Sequence, residues 1–146
     1  MTQQEPGIDL RLGGQFYLAH RFARAGTNGR LRSLGLDLRH LAVLRELADN
    51  GPSKQRALVD RIKMDRSSLV YVIDELERQG LAERGRDETD RRSHAVRITA
   101  KGRRRLTAAT AAADQAMREL LSGLTATDKV RLEQLLDKVI SAVTDV

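Results

Sequence analysis

The chain has 146 residues and a formal charge of +6, with 40% apolar and only 3% aromatic side chains. That length suits one domain, 1–146, with a core of Leu, Ala, Val and Ile rather than rings. The lack of cysteine excludes a disulfide, a thiolate nucleophile, a thiol redox sensor and zinc sites with Cys ligands. The polar N-terminus, MTQQEPGIDLRLGG, is no signal peptide, and no run reaches membrane-span length, so a soluble cytoplasmic protein is expected.

The charge is unevenly placed. Residues 53–105 carry 15 basic and 9 acidic side chains, whereas 106–146 carry 4 and 6. A basic middle third is the footprint of a polyanion-binding module. It is equally compatible with a salt-bridged soluble surface, and charge alone leaves both readings open.

Helical signals dominate in chain order. Residues 10–31 carry apolar groups at Leu12, Phe16, Ala19, Phe22 and Ala23, near 3.6 spacing, and GTNGR (26–30) is a point where that helix frays or breaks. LGLDLRHLAVLRELADNG predicts a second helix, with Asp37 as N-cap and Asn50-Gly51 as its stop. Pro52 enforces a break, and 53–62 reads as a short helix with Ser53 as N-cap. KMD turns the chain. Asp65 then caps a third amphipathic helix whose inward stripe is Leu69, Val72, Ile73 and Leu76, ended by Gly80.

Residues 81–86 and 93–99 are two strand-like runs, a hairpin with a charged loop. Thr99 caps a long alanine-rich helix. Thr125–Asp128 opens a last one, with Val130, Leu132, Leu135, Leu136, Val139 and Val143 apolar. A helix-turn-helix followed by a hairpin is the winged-helix arrangement. The apolar helices left over at both ends call for a partner, most simply a second copy.

These features carry a family resemblance. Residues 58–106 combine an apolar helix ending in DELERQGL, the wing pattern R-x-x-x-x-x-D-R-R and an I-T-x-x-G start to the next helix. The combination closely resembles the winged-helix core of the multiple-antibiotic-resistance regulator (MarR) family, and the flanking helices agree in length and order. The resemblance implies a mainly α fold with a small β-hairpin. A winged helix-turn-helix part at 36–100 is flanked by dimerisation helices at 8–32 and 101–146. It also implies an obligate homodimer on a palindromic operator, usually a repressor, with a small-molecule pocket between the dimerisation helices and the winged helix. No cofactor or metal follows from it.

The third helix is then the recognition helix, facing double-stranded DNA with its first turns. Arg66 suits guanine, Ser67 and Ser68 suit bases or phosphate, Val70 suits a thymine methyl, and Tyr71 suits phosphate. Asp74, Glu75 and Glu77 would repel phosphate further along. Ser53 and Gln55 open the preceding helix, where free N–H groups attract a phosphate. Arg84 and Arg86 leave the first wing strand, and Arg91 and Arg92 close its loop. The resemblance inserts Arg92 into the minor groove with Asp90 orienting its guanidinium. Read without the family, the same cluster is a solvated charged turn.

For an effector, Tyr17, His20, Arg21 and His40 offer polar or aromatic groups to a small aromatic carboxylate or phenol. Packing or plain exposure of Tyr17 and His20 is the alternative. An enzyme is not expected: the three histidines lie on different elements, and neither a phosphate loop nor a serine-nucleophile motif is present. The alternative outside DNA binding is a winged-helix module that docks a protein.

Overall fold

A computed structural model of the chain describes residues 5–90 and 92–144. Its elements run α1 (Ile8–Leu31), α2 (Leu38–Asn50), α3 (Gln55–Ile62), α4 (Arg66–Arg78), β1 (Ala82–Arg86), β2 (His94–Ile98), α5 (Ala100–Leu120) and α6 (Ala126–Thr144). The mainly α fold with a small hairpin is the one expected.

The caps explain most boundaries. The Asp37 side chain accepts from the amides of Arg39 and His40, and His40 Nδ1 accepts from the Asp37 amide. This is a reciprocal capping box with histidine in place of the usual Glu or Gln. Asp65 accepts the amide of Ser68 at 3.0 Å, and Thr99 accepts that of Gly102 at 3.0 Å. Thr125 and Asp128 cap α6 reciprocally.

Two expectations fail at boundaries. GTNGR does not break α1: the helix continues through Gly26 and Gly29 to Leu31. Burial of Thr27 and Leu31, and the hydrogen bond from the Leu38 amide to Asn28 Oδ1, offset the roughly 1 kcal/mol that each glycine costs. Ser53 does not cap α3, whose N-cap is Lys54 with no side-chain bond. Ser53 instead pairs with Val96 as a one-residue third strand of the wing, through N–H···O bonds of 2.9 and 2.8 Å.

The core is aliphatic and lies inside the winged-helix part. Leu44, Leu47, Leu58, Leu69, Val72, Ile73, Leu76, Leu81 and Val96 are fully buried, and Leu31 of α1 and Ala109 of α5 join them. The predicted stripe of α4 is therefore the observed one. The hairpin is antiparallel, from Ala82 opposite Ile98 to Arg86 opposite His94.

The I-T-x-x-G signature has a packing cause. Thr99 Oγ1 donates to the Gly80 carbonyl at 2.7 Å while accepting the Gly102 amide, which clamps the start of α5 to the end of α4. A Cβ on Gly102 would sit 2.0 Å from the Leu81 carbonyl oxygen and 2.8 Å from Ile98. Gly102→Ala gains under about 1 kcal/mol of helix propensity but collides with backbone. A net loss of about 2–3 kcal/mol is expected in a denaturant titration.

α1 and α6 are different in kind. No residue of α6 is buried, and its Leu135, Val139, Ile140 and Val143 face solvent. Leu10, Phe16, Leu18 and Phe22 do the same along α1. No helix among the described residues is long and apolar enough to cross a membrane.

Candidate nucleic-acid interface

α3, α4 and the wing meet at one edge. Gln55, Arg56, Val59, Asp60 and Arg66 line a shared groove between α3 and α4. Lys54, at the start of α3, lies 3.9 Å from Asp87 and 3.7 Å from Asp90 of the wing loop. The N-terminal turn of α4 thus stands beside α3, and the start of α3 stands beside the wing loop.

Arg66, Ser67 and Tyr71 are exposed on α4, while Ser68 and Val70 are half-buried. The Ser67 hydroxyl donates to Asp65 Oδ2 at 2.8 Å, so Asp65 gathers both serines. Hydrogen bonds from Ser68 and Ser67 hold the Asp65 carboxyl down at about 2. Arg66, Arg86 and Arg92 are exposed and make no ion pair among the described residues. Arg91 lies outside the described residues.

Several candidate residues turn out to serve the frame. Arg84 is held on three sides: Nε donates to Gln55 Oε1 at 3.0 Å, Nη2 lies 2.8 Å from Asp74, and Nη1 donates to Glu77. Arg84 and Gln55 are spent on each other, locking the wing to α3 and α4. Two of the three α4 acids that look hostile to phosphate, Asp74 and Glu77, are the groups that neutralise this arginine.

Ser53 is buried. Its hydroxyl donates to the Gly51 carbonyl at 2.9 Å and accepts from Arg61 at 3.1 Å, leaving it no surface to offer a phosphate. Among the described residues no guanidinium reaches Asp90. Its carboxylate accepts the Arg92 amide at 3.1 Å and faces Lys54, so it shapes the loop. Asp87 also builds the loop rather than merely solvating it. It accepts the amide and hydroxyl of Thr89, bonds that hold its carboxyl below the usual range.

Lys54 and Arg39 were not singled out from the sequence. Lys54 carried a signal, its place at a helix start next to Ser53. Arg39 carried none, because its partners are set by the fold. It bonds Asp37 Oδ2 at 2.8 Å and its guanidinium stands 5.8 Å from the centre of the Tyr71 ring. Burial works to raise the Asp37 carboxyl, but the Arg39 hydrogen bonds, the nearby His40 and the Arg39 charge together outweigh it and hold it at about 2.

The effector candidates scatter. His20 lines a cleft of about 440 Å³ with Ala23, Arg24, Arg45, Asp114 and Met117, between α1, α2 and α5. It also borders a second, of about 370 Å³, with Arg24, Asn28, Asp37, Arg39 and Met64. Tyr17 is 63% exposed, Arg21 is exposed, and neither lines these clefts. His40 is buried with both ring nitrogens bonded, to the Asp37 amide and to Glu75. Its bonds serve the fold, and of the four only His20 lines either of these two clefts.

A recognition helix with an exposed basic start, a braced wing and apolar arms defines the class: a winged helix-turn-helix transcriptional regulator that binds DNA. A family model described as "MarR family" matches residues 34–93. The transcriptional regulator HosA of Escherichia coli is 31% identical over 100 residues, covering 68% of this chain and 74% of that one. A MarR-family regulator from Rhodococcus sp. RHA1 superposes with a TM-score of 0.81 at 25% identity, over 97% of this chain and 99% of that one. CouR from Rhodococcus jostii RHA1, bound to p-coumaroyl-CoA, gives a TM-score of 0.77 at 27% identity over 90% of both chains. The chain belongs to the MarR family of transcriptional regulators, which bind DNA and are not enzymes.

Proposed function

We propose that the chain acts in the cytoplasm as a homodimeric repressor, binds a palindromic operator and leaves it when a small aromatic or phenolic effector binds. The observation that carries the operator reading is the single edge formed by α3, α4 and the wing. Arg66, Ser67, Arg86 and Arg92 are exposed along it, and Lys54 stands beside the wing loop. A helix start fits a major groove, and a projecting arginine fits a narrow minor groove.

Residues 36–100 form the DNA-binding part, and 8–32 with 101–146 form the dimerisation part. The support for that division is the apolar surface of α1 and α6, where Leu10, Phe16, Phe22, Leu135, Ile140 and Val143 are all exposed; clustered apolar surface of this kind marks an interface. A twofold dimer matches a palindrome, with its two recognition helices roughly 34–36 Å apart.

An effector can release DNA only if it binds the competent and incompetent dimers unequally. The His20 clefts support such a role. Both adjoin α2, and one is walled by Arg39, which lies against the recognition helix. Each cleft sets two arginines, Arg24 with Arg45 or Arg39, against one acid, Asp114 or Asp37, and adds the His20 ring, a lining with a positive excess that suits an anionic or phenolic aromatic. CouR, which binds p-coumaroyl-CoA, supports that class of chemistry.

Selection of bound fragments from a random DNA pool tests the reading. Recovery of an inverted repeat with half-sites one helical turn apart is the expected result. Recovery of no preferred sequence would instead favour a protein-docking winged helix.

A further inference from the structure

Behind the exposed ring of Tyr71, five side chains of α2 and α4 close a circuit. The Asp37 amide donates to His40 Nδ1 at 3.0 Å. The same Nδ1 lies 3.0 Å from Asp37 Oδ1, and on the other side of the ring Nε2 donates to the Glu75 carboxylate, at Oε2, over 2.6 Å. The other oxygen, Oε1, accepts the Tyr71 hydroxyl at 3.0 Å and has Arg78 at 3.6 Å. Arg39 lies over the Tyr71 ring and returns to Asp37.

The direction of one proton matters. The hydrogen bond from His40, with further help from Tyr71 and nearby cations, holds the Glu75 carboxyl below its usual range despite partial burial. An ionised carboxylate accepts and cannot donate. The Tyr71 proton is therefore committed to Glu75, and that bond also raises the phenol's pKa so that it keeps the proton. What the phenol turns outward is a pair of lone pairs. A phosphate, which has only acceptors, gains nothing from that face. In the major groove the complementary donors are the N6 amino group of adenine and the N4 amino group of cytosine.

We infer that Tyr71 is a sequence-reading residue that accepts from an exocyclic amino group of adenine or cytosine, and that Glu75, held by His40, is the positioning residue that fixes this polarity. The inference rests on α4 facing the major groove, as proposed above. It reverses the assignment of Tyr71 to phosphate. It also gives the closed circuit a purpose: a ring fixed before binding loses little side-chain entropy on docking.

The test is selection from a random DNA pool with the full-length wild type, Tyr71→Phe and Glu75→Ala, each scored for base preference at every half-site position. The wild type should show one position per half-site favouring adenine or cytosine. Tyr71→Phe keeps the ring under Arg39 and should flatten that position alone, with roughly a tenfold loss for the preferred base. Glu75→Ala frees the hydroxyl to donate and should move the same position toward guanine or thymine, which present acceptors there. A profile unchanged in Tyr71→Phe overturns the reading role. A change in Tyr71→Phe with none in Glu75→Ala overturns the positioning role. Failure of the wild type to select any sequence overturns the operator reading itself, a separate and recognisable outcome.

Discussion

The double variant Leu135→Asp, Val139→Asp is expected to sediment as a monomer and to lose operator binding by roughly a hundredfold or more. Both side chains are half-exposed on α6, so the charges meet only water in a single chain and leave its helix intact. In a dimer they would be buried, and an unpaired buried charge costs several kcal/mol. Four such charges per dimer exceed what a typical interface can absorb. Once separated, each monomer holds one half-site without the effective concentration supplied by its twin. That coupling is worth on the order of 10²–10⁴ in affinity. A variant that stays dimeric would move the interface away from α6.

Arg92→Ala is expected to weaken the selected operator by about a hundredfold in an anisotropy titration, with the melting temperature unchanged. Arg92 is exposed and its main-chain amide, not its guanidinium, is what the loop uses. Removing the side chain therefore leaves the wing's shape alone. Each arginine–DNA contact is worth about 1–3 kcal/mol, and the dimer loses two. Asp90→Asn separates the two accounts of that aspartate. Asparagine keeps the oxygen that accepts the Arg92 amide, so affinity should stay within a few-fold. A loss as large as that of Arg92→Ala would mean that the carboxylate does orient the guanidinium.

The parts of this molecule legible in its sequence are the local ones. The caps Asp37, Asp65 and Thr99 act within three residues, and the stripe Leu69, Val72, Ile73, Leu76 repeats at the helical period. Pattern reading finds both because cause and effect lie a turn apart. The winged-helix order follows from them, and the family motifs complete it.

What the sequence hid depends on partners far along the chain. Arg84 meets Gln55, 29 residues away, and His40 meets Glu75, 35 residues away. No spacing rule connects either pair, so the sequence offers Arg84 as a DNA contact and His40 as an effector ligand. The acids of α4 were misleading for the same reason. Asp74 and Glu77 look like a barrier to phosphate in a one-dimensional reading, and in the fold they are counter-ions. The GTNGR segment misled in the opposite direction. Its local breaker composition is real, but the tertiary burial of Thr27 and Leu31 outweighs it.

The central claim is that this edge binds DNA through its phosphates and grooves. The affinity of the wild-type protein for its selected operator, measured from 50 to 200 mM salt, tests it most directly. Neutralising 6–10 phosphates predicts a logarithmic slope of roughly −5 to −9, or a fall of about 10³–10⁵ across that range. An affinity that stays flat with salt would contradict the account, because no protein surface built on these arginines could hold a duplex without releasing its counterions.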